Sequence, residues 1–316
     1  MHPAYSVILF TCCSGAGFGL LALLSLTARK WVAMPTSFTV VSFGLAFALI
    51  TFGLLASTSH LGRPERAWRA FSQWRTSWLS REGILALATL PPAALLALRI
   101  IQGGDIGPLS LLLGLLTAAL ALATLYCTGM IYASLPTIRA WKQPLVAPLY
   151  CLFGITTGAI LLALLMALWT AQVPQPLVWF ALLAVVACWL VKTRYWAAID
   201  AAPRPHTIGA ATGLGKPGSI VRPLDPPHTQ ANFIMREMGY DVGRRHATRL
   251  RQLASLTLFL IPALCLALAT ITSGGLALLL MLVATLSATV GIGVERWLFF
   301  AEAEHVAMLF YGRQSA

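Results

Sequence analysis

Apolar residues gather along this chain into long unbroken runs, separated mostly by short polar stretches. Eight such runs stand out, at approximately 5–27, 37–57, 83–101, 109–133, 145–170, 176–192, 253–272 and 275–300. A run of about 17–25 apolar residues is long enough to cross a hydrocarbon core roughly 30 Å thick. Backbone N–H and C=O groups in lipid find no water, so each run must bond within itself, which predicts helices and not open strands. The predicted fold class is therefore all-α: a polytopic membrane protein, an eight-transmembrane-helix bundle forming a single membrane domain over 1–316. One long polar connection, 193–252, stands apart.

Composition strengthens that reading. Hydrophobic residues make up 58% of the chain and charged residues 10%, and a soluble fold cannot hide so much apolar surface. The net charge of +12 could point to nucleic acid, but its distribution gives a simpler account. With the N-terminus inside, 19 lysines and arginines fall on the inner side and three (Arg29, Lys30 and Arg99) on the other. That bias predicts both termini in the cytoplasm, and the excess charge suits attraction to anionic lipid. No nucleic-acid motif is present. The first run has no basic n-region and no clear small-residue cleavage site, so it is read as a helix of the mature protein and not as a signal peptide.

The 193–252 connection is Pro/Gly-rich in its first half and ends in a basic run, and it is read as a cytoplasmic partner-docking loop. Its "GAATGLGKPGS" resembles a phosphate loop only superficially. Pro217 follows Lys216 where a Ser or Thr is required, and no strand precedes it. The six cysteines all fall in predicted spans without a C-x-x-C pair, so they read as small apolar core residues and not as cluster or zinc ligands. No histidine falls in the middle of a span. A membrane haem b held between helices is therefore not expected.

Polarity concentrates at one level instead. The stretch "STSHLGRPERAWRAFSQWRTSWLSREG", Ser57 to Gly83, carries one histidine, five arginines, two glutamates and three tryptophans. His60 ends the second span, and Arg81 and Glu82 open the third. Tyr132, Arg139 and Trp141 leave the fourth at the same side. Glu295, Arg296, Glu302, Glu304 and His305 lie at the end of the eighth. A quinone needs an apolar slot for its tail, a hydrogen-bonding group at each carbonyl, and two protons with its two electrons. Histidine titrates near neutral pH and can both bond a carbonyl and pass a proton. A carboxylate buried at a helix end has its pKa raised toward the working range, and ionisable groups near the membrane interior are functional candidates by default. The alternative for Arg63, Arg66, Arg69, Arg75 and the three tryptophans is ordinary interfacial anchoring.

"SHLGRPERAWRAF" followed by "SWLSREG" resembles the membrane-anchor subunits of the dimethyl sulfoxide reductase family, which have eight helices, a histidine-leucine-glycine motif after the second and a serine-x-glutamate motif opening the third. "MIYASLPTIRAW" resembles the same family's tyrosine-containing segment. "HTIGAATGLGKPGSIVRPLDPPHTQANFIMREMGYDVGRRHA" looks like the loop of the branch that serves cytoplasmic sulfite-oxidising molybdoenzymes. The resemblance implies a bacterial inner-membrane complex of three subunits. A catalytic subunit would hold molybdopterin and another four iron–sulfur clusters. The anchor would exchange electrons with ubiquinone or menaquinone and bind neither haem nor metal. It implies quinone roles for His60 and Glu82, and more loosely, by position beside the motifs, for Arg63, Arg81 and Tyr132.

The expectation is thus a quinone-binding anchor, most like one coupling sulfite oxidation to quinone reduction, with a quinol-oxidising reductase anchor as the nearest alternative. A secondary transporter would place polar or broken-helix sites near the midplane, where these spans are poor in polar groups. A lipid-modifying enzyme would need a carboxylate cluster such as Glu295, Glu302 and Glu304.

Overall fold

Eight helices long and apolar enough to cross a membrane run through the computed structural model, which describes residues 2–59, 62–103, 107–204, 206–214, 220–222, 224, 225, 230 and 232–315. They are α1 Tyr5–Leu26, α2 Thr36–Thr58, α3 Trp78–Ile101, α4 Pro108–Ala133, α5 Val146–Thr170, α6 Gln175–Ala201, α7 Ala247–Ala269 and α8 Gly274–Ala301. No named strand occurs among the described residues.

Three boundaries move from the sequence expectation. Helix α3 begins at Trp78 and not near 83, so Arg81 and Glu82 lie inside it. Helix α6 continues to Ala201, and α7 begins at Ala247, so both ends of the 193–252 connection are helical. Charge marked the expected boundaries, but a helix continues through charged residues where partners or water receive them. Lys192 shows this most clearly, since it is 1% exposed within α6. Arg296 is also buried, at 2% exposure. These two leave the count of surface charges that orient the chain, and the bias falls from 19 to 17 against three.

Helix α1 packs against α2, α4, α5 and α8, and α3 pairs with α4. Small residues set the closest approach. Gly154 and Gly158, one turn apart on α5, meet Gly19 of α1. An added Cβ at Gly19 would overlap the Gly154 carbonyl, and one at Gly158 would overlap the Gly19–Leu20 peptide. This is the small-xxx-small geometry that lets backbones touch where lipid supplies no hydrophobic drive. Gly158→Val is therefore expected to separate α1 from α5 and destabilise the bundle by about 1–3 kcal/mol or more. A lowered thermal transition of the purified protein checks this, and an unchanged transition would count against the packing.

Leu87, Leu95 and Leu98 of α3, Leu183 and Leu190 of α6, and Leu279 and Leu286 of α8 are exposed, as expected of a lipid-facing surface. Hydroxyls inside the helices bond to the carbonyl of the preceding turn, as with Thr89 to Leu85 at 2.7 Å and Thr157 to Phe153 at 2.7 Å.

The long connection partly folds on its own chain. Short helices occur at Ile208–Thr212, Phe233–Met238 and Val242–Arg245. The Arg313 guanidinium donates to the Gly239 carbonyl at 3.1 Å, the His2 amide donates to the Glu237 carbonyl at 2.7 Å, and Gly243 lies against Ala301. Ile220, Leu224 and Phe233 remain strongly exposed. Lys216 lies outside the described residues.

Candidate functional site

A stripe of buried residues runs down α3: Glu82, Ala86, Thr89, Ala93, Leu96 and Ile100. Their spacing of three and four residues keeps them on one face, and that face meets α4. Glu82 is the polar top of the stripe and is 3% exposed. Its carboxylate accepts a hydrogen bond from the Thr128 hydroxyl of α4, and Thr128 also bonds to the Thr124 carbonyl at 3.0 Å. The segment before α3 closes over this end. The Ser80 hydroxyl donates to the Ala70 carbonyl, and the Phe71 ring lies directly against Gly83, where a Cβ would come within 2.8 Å of it.

Tyr132 lies one turn beyond Thr128 on α4, within electrostatic reach of Glu82. Its ring is buried among Trp141, Tyr150, Phe299 and Phe300, with centroids 5.1–5.6 Å away. The "MIYASLPTIRAW" segment folds beneath the bundle to build this cluster. The Trp141 indole donates to the Phe299 carbonyl at 3.0 Å, and Tyr195 donates to the Ala140 carbonyl at 3.0 Å. Arg139 caps the end of α6 through the Ile199 and Ala202 carbonyls at 2.6 and 3.0 Å, where a cation also complements the helix dipole.

Among the predicted residues, Glu82 and Tyr132 come together at one end of α3 and α4. Arg81 turns the other way. Its guanidinium bonds to the Trp74 carbonyl at 2.9 Å and the Arg75 carbonyl at 2.6 Å, and it stacks over Trp78 at 4.3 Å. This makes it a clamp on the preceding segment. Arg63 is exposed ahead of the 3-10 turn Pro64–Gln73. His60 lies outside the described residues.

A second polar centre joins α6 and α8, and its residue on α6, Lys192, is not among the candidates the sequence offers. Glu295 of α8 is held between Lys192 of α6 and the Arg296 guanidinium, whose Nε lies 2.5 Å from its carboxylate. All three side chains are at most 3% exposed. Lys192 sits over Tyr195 and Trp196, and Arg296 over Tyr150 and Phe153, at 4.2–4.9 Å. Two cations against one anion leave an excess positive charge in the bundle. The available signal was a lysine closing the apolar run "LVWFALLAVVACWLVK".

The carboxylates beyond α8 are taken up by arginines. Glu302 bonds to Arg251 at 2.8 Å, and Arg251 also holds Asp200 at 2.6 Å. Burial pushes the Glu302 carboxyl above its ordinary pKa, against the opposing pull of Arg251. Glu304 is ringed by Arg204, Arg244 and Arg313 at 3.5–3.6 Å. Among the described residues, no three His, Cys, Asp or Glu side chains are grouped to hold a metal.

Comparison with known proteins gives a family and a relative. The model of the family described as DMSO reductase anchor subunit (DmsC) matches residues 1–312. A sulfite dehydrogenase subunit of Allochromatium vinosum is 34% identical over 335 aligned residues, which cover 98% of this chain and 99% of that protein.

Proposed function

Because this chain belongs to the DMSO reductase anchor subunit family, we propose that it carries electrons between an iron–sulfur partner and the quinone pool. As a multi-pass anchor of a molybdoenzyme complex, it implies catalytic and iron–sulfur partner subunits. The observation that supports the quinone reading is Glu82, a carboxyl buried at the end of α3 against the Thr128 hydroxyl. Such a group can deliver protons to a quinone that receives electrons from the partner. Glu82 would be the proton donor, with Tyr132 beside it, and the family motif adds His60 as a second quinone residue. Arg63 and Arg81 fit better as supports of the segment that covers the site.

We further read the reaction as sulfite oxidation, following the relative's name and the loop between α6 and α7. Sulfite and water would yield sulfate, two protons and two electrons in the catalytic subunit. The quinone would take up two electrons and two protons here. The family name favours the reverse flow, from quinol to a substrate such as a sulfoxide, and the same site serves either direction. The 17-to-three charge bias supports cytoplasmic termini, with partner subunits seated on the cytoplasmic face of a bacterial inner membrane. The exposed Ile220, Leu224 and Phe233 suit the long connection to a docking role.

The test is purification through a tag on this chain. Molybdenum and iron–sulfur proteins should copurify, and the complex should reduce quinone with sulfite. His60→Ala should abolish that reduction while the complex stays assembled. Isolation of the chain alone, with transport or lipid chemistry of its own, would overturn the proposal.

A further inference from the structure

Two cavities adjoin inside the bundle, and the smaller reaches Thr128, the partner of Glu82. The first is about 10 Å³, room for about one water-sized group, and Thr128, Tyr150 and Arg296 are among its lining residues. The second is about 160 Å³ and lies between α1, α2, α5 and α8, walled by residues such as Cys13, Leu45, Leu49, Leu161 and Ala288. Cys12, Ala16, Thr157 and Ile292 line both, so the two adjoin across these side chains.

Their chemistry differs. Beside the small cavity the Arg296 Nη1 is buried and has no hydrogen-bond partner. A buried donor is rarely left so, and this one asks for an acceptor. The large cavity is an apolar slot. A dry apolar cavity of about 150 Å³ is known to accept a benzene ring. Leu45 and Leu49 on its edge are half-buried and Thr289 is exposed, so the slot opens on the lipid side. From Arg296 to Thr285 on its deeper wall is eleven residues of α8, roughly 16 Å along the axis. The slot therefore runs from the polar cavity toward the middle of the membrane.

We propose that this slot takes the ring of a prenylated quinone, whose tail leaves at the lipid edge, with one ring carbonyl oxygen at the small cavity accepting from Arg296 Nη1. A carbonyl oxygen fills about the space of one water, and the ring matches the slot. A phospholipid acyl chain would fit the slot but would bring no acceptor to Arg296. Thr128 bonds to Glu82 and lines the small cavity, so its hydroxyl, turned to accept from protonated Glu82, would donate its own proton to that oxygen. The inference rests on the quinone reading above and states where the head sits. Arg296 would be a binding residue for the carbonyl, held in place by Glu295.

The test uses the whole membrane-embedded complex and an azido-substituted quinone with a short prenyl tail, activated by light. Label is expected on peptides spanning Cys12–Ala16 or Thr285–Ile292, displaced by unlabelled quinone. Leu49→Trp and Ala288→Phe, which narrow the slot, should raise the quinone KM by about tenfold or more with kcat little changed. If Ala288→Phe does not assemble, Leu49→Trp at the lipid edge and the labelling pattern decide. Label confined to Ser77–Gly83, with a normal KM in Leu49→Trp, would overturn the slot while leaving the quinone function standing. Label in the slot that unlabelled quinone does not displace, with a normal KM, would identify a lipid site and also overturn it. Failure of the assembled natural complex to exchange electrons with any quinone would instead count against the functional reading itself.

Discussion

Glu82→Gln is expected to lower quinone-linked turnover of the assembled complex by about 10²–10⁴-fold, the range over which a positioned proton donor acts. The substitution is chosen to isolate the proton. Glutamine has nearly the same shape, and its carbonyl oxygen can still accept from the Thr128 hydroxyl. The α3–α4 contact, with its stripe of Ala86, Thr89 and Ala93, should therefore survive. Electron delivery from the partner's catalytic site into its iron–sulfur centres should also be unchanged, as read with an artificial acceptor. Only transfer to quinone should fail. A variant that reduces quinone at the normal rate would remove Glu82 from the proton path.

Removal of Glu295 should act on stability instead. Glu295→Ala leaves Lys192 and Arg296 buried without their shared carboxylate. Breaking a buried ion pair from one side costs about 3–5 kcal/mol, and here two cations are stranded in a membrane interior where charge is expensive. The expected result is a large fall in the thermal transition and in the amount of chain recovered from membranes. Replacing all three residues by apolar ones, as Lys192→Met, Glu295→Leu and Arg296→Met together, should restore much of the stability, because no buried charge remains unpaired. The triple variant should still bind quinone poorly if Arg296 holds the carbonyl. Equal stability of Glu295→Ala and the natural chain would mean that water reaches the triad and that it carries no structural load.

The eight spans were legible because apolar length alone decides them. Their ends were less so, because charge was read as a boundary. Lys192 and Arg296 carry full charges yet lie inside helices, neutralised in part by Glu295 and covered by aromatic faces. The sequence showed each of these residues but not that α6 and α8 bring them together. Glu82 was legible from its motif, and its burial could have been read from its phase with Ala86, Thr89 and Ala93. Thr128 was not legible, since a threonine in an apolar helix commonly bonds its own backbone and nothing singles out the one that also bonds a carboxylate. Arg81 misled for a related reason. It neighbours Glu82 in sequence, but successive residues on a helix point about 100° apart, and its guanidinium serves the carbonyls of Trp74 and Arg75. The Gly154-x-x-x-Gly158 spacing was visible and carried the α1–α5 contact, a signal that span counting passes over.

The central claim is that this chain is the route between iron–sulfur centres and quinone. The direct measurement is the redox state of the partner's iron–sulfur centres, followed spectroscopically after quinone or quinol is added to liposomes. Partner subunits with this chain would be compared with the same subunits purified without it. Exchange with quinone should be fast with the chain and at least about 10²-fold slower without it. Equal rates in the two preparations would contradict the claim and place the quinone chemistry in another subunit.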